Sequence, residues 1–191
     1  ATCEPVLEAL LAHINMPQPS VDGDEHWYTF CASLRGNKYM TGSKGSDQLK
    51  GGDKTNFATT WWKLVERTDG SFDIINKETG KYISRDAAYN AQIRLVNAQP
   101  SAGWTFSYSQ TLGMFIISSG NVQLNQTNKD NAIYNWSAGG SGQDRSDTGC
   151  QFTITEVTGE PAINNELLTG WYRIKVVTGS DATMQGFIAN N

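Results

Sequence analysis

Short apolar or alternating segments, separated by turn residues, make up most of the chain from Trp27 onward. Three pairs of these segments follow one another: WYTFCASL with YMT, FDIIN with KYIS, and MFIIS with VQLN. Alternation with a period of two is typical of strands that have one buried face. Gly36-Asn37, Thr79-Gly80 and Gly120-Asn121 lie between the paired segments and tolerate the positive φ of tight turns. The pattern therefore predicts three β-hairpins.

The hairpins form a repeat with a period of roughly 40 to 48 residues. Equivalent hairpin positions are Thr41, Ser84 and Asn125, and equivalent aromatic positions are Trp62, Trp104 and Phe152. The last unit is longer because it contains the extra stretch GGSGQDRSD. Three units of about four short strands cannot bury their faces singly, but they can close into a barrel without free edges. The repeated aromatic position is predicted to form one layer of its core.

The residues before the repeats have a different pattern. Apolar residues between Glu4 and Ile14 are spaced three and four apart, which predicts an amphipathic helix with Pro5 in its first turn. The next stretch, Asn15 to Glu25, is rich in Pro, Asp and Gly and is predicted to be a linker. Residues 1–25 are thus a helix and linker that precede the repeats.

Composition and charge exclude several classes of function. The formal net charge of the 191 residues is -4, without a concentration of Lys and Arg, so a nucleic-acid partner is not expected. The longest apolar run, Val6 to Ile14, is far shorter than the roughly 20 residues that span a bilayer, so membrane insertion is not expected either. Three cysteines without CxxC spacing do not predict a zinc site, and neither a metal nor a cofactor is expected.

Taken together, the three units resemble a β-trefoil, and within that fold they resemble the ricin-B-like carbohydrate-binding domains. The resemblance covers residues 26–157 and implies an all-β fold of three repeats. The Gln-x-Trp signature of that family is absent, because the three units read Thr60-Trp61-Trp62, Ala102-Gly103-Trp104 and Cys150-Gln151-Phe152. At most one sugar site is implied, since the first two lobes lack an aromatic platform.

The third lobe has the residues for such a site. Aligning NAQIRLVNA with DNAIYNWSA places Ile93 with Ile133 and Val96 with Trp136. The resemblance implies that a sugar ring stacks on an aromatic residue of the third strand, while a polar residue at the end of the second strand holds its hydroxyls. A flat aromatic face suits the apolar CH face of a pyranose. The predicted ligand-binding residues are Trp136, Asn125, Tyr134, Asn135 and Asp130.

Two observations compete with this hypothesis. Trp136 is equally compatible with packing under the loop GGSGQDRSD. In addition, Asn125-Gln126-Thr127 and Asn135-Trp136-Ser137 match the N-glycosylation pattern, and glycans there would cover the predicted site.

No constellation of catalytic residues stands out in the sequence. His13 and His26 belong neither to an HExxH spacing nor to an evident triad, and most carboxylates lie in predicted turns. We therefore expect a non-catalytic carbohydrate-binding module of a larger secreted or surface protein, such as a glycoside hydrolase. Its expected location is extracellular, at the cell surface or in the bacterial periplasm. The alternative is a protein-interaction trefoil, such as a protease inhibitor, that uses residues 42–56 or 139–149.

The two ends of the repeat region give two further predictions. Gly170 to Val177 repeats the pattern of His26 to Phe30, so residues 158–191 are interpreted as a connector and the start of a second trefoil; the alternative is a C-terminal strand and tail packed on the first. The helix and this partial repeat favour a piece of a longer polypeptide, whose other domains are possible partners. Because the first and last strands of a closed barrel are neighbours, Cys31 and Cys150 are predicted to lie close together.

Overall fold

Within the described residues, twelve β-strands, four from each repeat, form the fold. The computed structural model describes residues 4–85, 90–109, 111, 113–137 and 147–162. The strands of the first lobe are β1 (Trp27–Ala32), β2 (Lys38–Ser43), β3 (Ser46–Gly52) and β4 (Trp62–Glu66). Those of the second are β5 (Phe72–Asn76), β6 (Tyr82–Ile83), β7 (Leu95–Val96) and β8 (Thr105–Tyr108). The third lobe contains β9 (Met114–Ser119), β10 (Val122–Gln126), β11 (Ile133–Ser137) and β12 (Gln151–Val157).

The first and fourth strands of the lobes close into a six-stranded barrel. Antiparallel pairing joins β1 to β4, β4 to β5, β8 to β9, β9 to β12 and β12 back to β1. Between β5 and β8, Phe72 and Trp104 exchange two backbone hydrogen bonds of 2.8 Å. The barrel therefore closes without a free edge, as predicted, and the chain is an all-β trefoil.

The second and third strands form three hairpins that cap the barrel around a pseudo-threefold arrangement. Equivalent residues pair from lobe to lobe: Gln48 with Arg94, Gln92 with Tyr134, and Ala132 with Lys50. Within the hairpins, Met40 is opposite Gly51, Ile83 opposite Leu95, and Leu124 opposite Asn135. These registers confirm the sequence alignment of Ile93 with Ile133 and of Val96 with Trp136, and they place Gly52 at the latter position in the first lobe.

The core consists of layers in which each lobe contributes one side chain. Trp62, Trp104 and Phe152 are at most 1% exposed, which confirms the predicted aromatic layer. A second layer contains Leu49, Ile93 and Ile133, each 0% exposed. The Trp62 indole also donates a hydrogen bond of 2.9 Å to the Met40 carbonyl, so the layer is tied to the first hairpin. The repeat is therefore a property of packing as well as of sequence.

The segment predicted as a linker lies against the barrel. The Gln18 backbone amide donates to the Tyr28 hydroxyl (2.9 Å), and the Ser20 backbone amide donates to the Leu64 carbonyl (2.7 Å). Ser20 is 6% exposed. Before this segment, helix α1 (Glu4–Asn15) forms as predicted, while Val6, Leu7 and Leu10 of its apolar stripe are more than half exposed. In the part of the chain that the structure describes, no helix is long and apolar enough to cross a membrane.

The strand order confirms that β1 and β12 are neighbours, with Cys31 opposite Thr153. Cys31 and Cys150 are both buried, and no disulfide joins them. Cys31 lies beside Tyr39, whereas Cys150 accepts a hydrogen bond from Asn125. The repeated motif at 170–177 and the stretch 138–146 lie outside the described residues. The first stretch considered for protease inhibition, 42–56, is not a single loop, because it contains the end of strand β2 and the whole of strand β3.

Candidate functional site

The face of the β10–β11 hairpin that is opposite to the core residues Leu124 and Ile133 carries four polar or aromatic residues, of which Gln123 and Asn125 are buried. Cross-strand partners place Asn125 beside Tyr134 and Gln123 beside Trp136. Along β11, Ile133 and Asn135 are buried, whereas Tyr134 and Trp136 are partly exposed. Alternate residues of a strand point to opposite faces, so the two aromatic side chains share one side of the hairpin. We call this side, with Asp130 at its end, the third-lobe face.

Three donors hold the Asp130 carboxylate at the end of this face, in the turn between β10 and β11. The Thr127 hydroxyl (2.7 Å) and the Ala132 backbone amide (3.0 Å) donate to Oδ1, and the Tyr134 hydroxyl donates to Oδ2 at 3.0 Å. The bond from Thr127, followed by the other two, lowers the pKa of Asp130. The same hydrogen bond raises the pKa of Tyr134, because the phenol donates to the carboxylate only while it keeps its proton. Asp130 is therefore a fixed, exposed anion beside a neutral tyrosine.

Thr127 was not identified by the sequence analysis. It follows β10, and its backbone amide donates to the Ala132 carbonyl at 3.1 Å, so it closes the turn between the two strands. Asn131 in this turn has a φ of 55°, a conformation that asparagine tolerates better than most residues. The pairing of a Thr with an Asp three residues later is a turn signal, and it is the one feature that could have found Thr127 from the sequence.

Asn125 lies at the base of the third-lobe face and is mostly covered. It is 4% exposed, and its amide donates a hydrogen bond of 3.2 Å to the Cys150 thiol. Gly149 is packed so closely above it that a Cβ there would lie 3.0 Å from the Asn125 amide and 2.6 Å from the Gln126 carbonyl. The short turn Thr148–Cys150 therefore holds Asn125 in place and limits its contact with a ligand to its edge.

This covering turn is itself anchored to the first lobe. The Asp147 carboxylate accepts from the Gly149 amide at 2.7 Å and from the Arg35 guanidinium at 2.9 Å. Arg35 also donates to the Thr148 hydroxyl at 3.1 Å. Arg35 could not be found from the sequence, because its partners lie more than 100 residues away.

Asn135 does not lie with the other predicted ligand-binding residues. It is 0% exposed and points to the same side of β11 as the core residue Ile133. Its neighbour across the hairpin is Leu124, another core residue. The burial of Asn125 and Asn135 also bears on the two N-glycosylation patterns, since neither side chain is accessible to a glycosyltransferase in the folded protein.

The equivalent faces of the other two lobes differ in chemistry. The position of Trp136 is occupied by Gly52 and Val96, and the position of Tyr134 by Lys50 and Arg94. The two neighbouring aromatic residues are thus confined to the third lobe among these three equivalent faces. Trp136 is partly exposed, and the loop predicted as its alternative packing partner falls largely in 138–146, outside the described residues.

Comparison with known proteins finds similarity at the level of structure. Neither a protein-family model nor a curated protein sequence matches the chain. Among solved structures, the ricin B-like lectin of Macrolepiota procera, in complex with lactose, has a TM-score of 0.56 and 13% identity; the match covers 67% of this chain and 93% of the lectin. A designed threefold-symmetric protein, ThreeFoil, has a TM-score of 0.53 and 14% identity, over 69% of this chain and 99% of the design.

A third similar structure is an enzyme. The GlcNAcα1-4Gal-releasing endo-β-galactosidase of Clostridium perfringens has a TM-score of 0.56 and 17% identity; the match covers 73% of this chain and 35% of the enzyme. At these identities the likeness shows the fold. The chain has the β-trefoil fold and resembles the ricin B-like lectins in structure, as the sequence analysis predicted.

Proposed function

We propose that this β-trefoil is a non-catalytic carbohydrate-binding module whose ligand binds on the third-lobe face. The observation that carries the proposal is the pair of outward aromatic residues, Tyr134 and Trp136, beside a carboxylate that is already oriented. The other two lobes have Lys50 with Gly52, and Arg94 with Val96, at the same positions. Among the three equivalent hairpin faces, this asymmetry leaves one saccharide site, in the third lobe.

The chemistry of the face suits a pyranose. An aromatic ring presents a flat apolar surface to the CH groups of the sugar, and its hydroxyls then point toward polar neighbours. A carboxylate has about four acceptor positions. Three of those of Asp130 are occupied by Thr127, Ala132 and Tyr134, which leaves one on Oδ2 for a sugar hydroxyl. Because these donors fix the carboxylate, little conformational entropy is lost when it binds.

The charge of the face indicates a neutral sugar. Asp130 stays ionised over a wide pH range, since its pKa is lowered by its hydrogen bonds, chiefly that from Thr127. An anionic saccharide would be repelled by this carboxylate, whereas the hydroxyls of a neutral hexose would donate to it. Galactose-type disaccharides are a reasonable first probe, because the similar lectin of Macrolepiota procera was solved with lactose.

The wider context of the module is also proposed. A module that binds saccharide raises the local concentration of substrate for an attached catalytic domain without any chemistry of its own. The similar endo-β-galactosidase, of which the match covers 35%, supports such an arrangement. We propose an extracellular or cell-surface protein, in which other domains of the same polypeptide are partners of the trefoil.

Binding to an array of neutral glycans, with two matched variants, tests the proposal. Trp136→Ala removes the platform, and Val96→Ala shortens the residue at the equivalent position of the second lobe. We expect Trp136→Ala to weaken binding roughly tenfold or more and Val96→Ala to bind like the parent. Unchanged glycan binding by a folded Trp136→Ala protein would contradict the proposed site.

A further inference from the structure

A second cleft lies on the outer side of the barrel, where β1 and β12 meet the segment between β3 and β4. Its volume is about 450 Å³, within the range of small-ligand sites. Its floor contains Thr29, Thr155 and Val157, and Tyr39 lines it as well. Lys54 and Asn56 belong to the opposite side. None of these residues belongs to the third-lobe face.

The floor follows from the register of the two strands. Thr29 is opposite Thr155, and Trp27 is opposite Val157, so their side chains share a face of the sheet. The alternate residue Tyr28 is a member of the core, which places the Thr29 side of β1 outside the barrel. The cleft therefore rests on a sheet surface that presents hydroxyl groups.

The walls are held in place by the surrounding structure. The Asn56 carbonyl accepts from the Ala162 amide at 2.7 Å, and the Thr55 carbonyl accepts from the Thr60 hydroxyl at 3.2 Å. Tyr39 lies beside the buried Cys31 thiol and pairs with it across β1 and β2. The cleft is consequently preformed, which lowers the entropic cost of binding.

Two charged residues line the cleft, Lys54 and Glu156. Lys54 is exposed, and within the described ranges no side chain forms a hydrogen bond or an ion pair with its ammonium group. The Glu156 carboxylate is already bonded to His26 at 2.9 Å, and outside the cleft Lys38 pairs with Asp53 at 2.7 Å. Lys54 is thus available to an anionic group of a ligand, next to the hydroxyl of Thr155 and the amide of Asn56.

We infer that this cleft binds a saccharide unit that carries a carboxylate, such as a hexuronic acid. Lys54 pairs with the carboxylate, Tyr39 contacts the ring, and Thr155 and Asn56 bind its hydroxyls. A charge-assisted hydrogen bond is about twice as strong as a neutral one, so the carboxylate is the group that selects the ligand. The cleft would then prefer a negatively charged sugar, whereas the third-lobe face would prefer a neutral one.

The test is an NMR titration of the whole chain with methyl β-D-glucuronide and with its neutral counterpart, methyl β-D-glucoside. Amide resonances of the cleft report binding at ligand concentrations of about 1 to 10 mM. We expect saturable shifts with the glucuronide and at least roughly fivefold weaker binding of the glucoside. Lys54→Met should reduce glucuronide affinity by a similar factor.

Lys44→Met is the control, because it removes the same charge from the side chain that pairs with Glu78 and should leave the titration unchanged. Trp136→Ala should also leave it unchanged, which separates this site from the proposed function. Absence of saturable shifts, equal binding of the two glycosides, or full glucuronide affinity in a folded Lys54→Met protein would each overturn the inference.

Discussion

Trp104 and Trp136 are predicted to respond in opposite ways to truncation. Trp104 is 1% exposed and belongs to the threefold aromatic layer of the hydrophobic core. Trp104→Ala deletes a whole buried indole and leaves a cavity, which costs about 3 to 5 kcal/mol. Since a domain of this kind is stable by about 5 to 15 kcal/mol, the variant should retain only part of its stability.

Trp136 is partly exposed and has a glycine and a valine as its counterparts in the other lobes, so the fold does not require a large side chain there. Trp136→Ala should cost about 1 kcal/mol or less. At about 2 to 4 °C per kcal/mol for a chain of this length, Tm should fall by roughly 6 to 20 °C in Trp104→Ala but by no more than about 4 °C in Trp136→Ala.

Thermal melts followed by circular dichroism, together with glycan titrations of the same samples, separate the two roles. The expected result is loss of sugar binding without loss of stability for Trp136→Ala. For Trp104→Ala we expect the reverse at temperatures where the protein is still folded. If Trp136→Ala melts as far below the parent as Trp104→Ala, the Trp136 ring is part of the packing and the two residues do not have separate roles.

Three other predictions concern two residues that form or support the site, Gly149 and Asp130, and His26, which follows the predicted linker. Gly149→Ala should lower both Tm and glycan affinity, because a Cβ would lie 2.6 Å from the Gln126 carbonyl; a melt and a titration equal to those of the parent would show that the turn yields easily. Asp130→Asn should weaken glycan binding roughly fivefold, measured by calorimetry, since it replaces a charged acceptor with a neutral amide; unchanged affinity would remove Asp130 from the site. His26 bonds to Glu156 at 2.9 Å, and this bond, with Asp24 contributing, raises the pKa of His26 above 6.5. The stability from protonated His26 is therefore complete below about pH 6.5 and is lost as the pH rises through the higher folded pKa. The Tm difference between the parent and His26→Gln should be larger at about pH 5.5 than at about pH 8.5, by a small amount because Glu156 is 53% exposed; a difference independent of pH would contradict the ion pair.

The fold could be predicted from the sequence because the same local pattern of residues recurs in each of its three repeats. Equivalent core positions, such as Trp62 and Trp104, recur at nearly constant spacing, and the hairpin turns recur with them. Burying these faces requires only that the three units pack together, so period and packing agree. Pairing of β1 with β12 then follows from closure of the barrel.

The candidate site could be predicted from the sequence only in part. Alternation along β11 correctly separates Tyr134 and Trp136 from Ile133, and applied strictly it also assigns Asn135 to the buried side. The covering of Asn125 could not be predicted, because it depends on Cys150, which lies 25 residues further along the chain. Contacts of this kind arise when the barrel closes, and they leave no periodic signal.

The docking of the predicted linker against the barrel could not be predicted, for the same reason. Pro, Asp and Gly in residues 15–25 correctly indicate the absence of a regular element, and they also allow the tight turn between Val21 and Asp24. The hydrogen bonds that hold the segment use the Tyr28 hydroxyl and the Leu64 carbonyl. Local composition does not reveal such partners.

Sugar binding at the third-lobe face is tested most directly by the response of the Trp136 indole to a sugar. In a proton–nitrogen correlation spectrum each tryptophan side chain gives one indole signal, and the signal of Trp136 is assigned with Trp136→Phe. On titration with lactose, we expect a saturable shift of this signal while those of the buried Trp62 and Trp104 stay in place. If the Trp136 signal does not move with lactose or with any glycan that the protein binds, the third-lobe face is not the carbohydrate site.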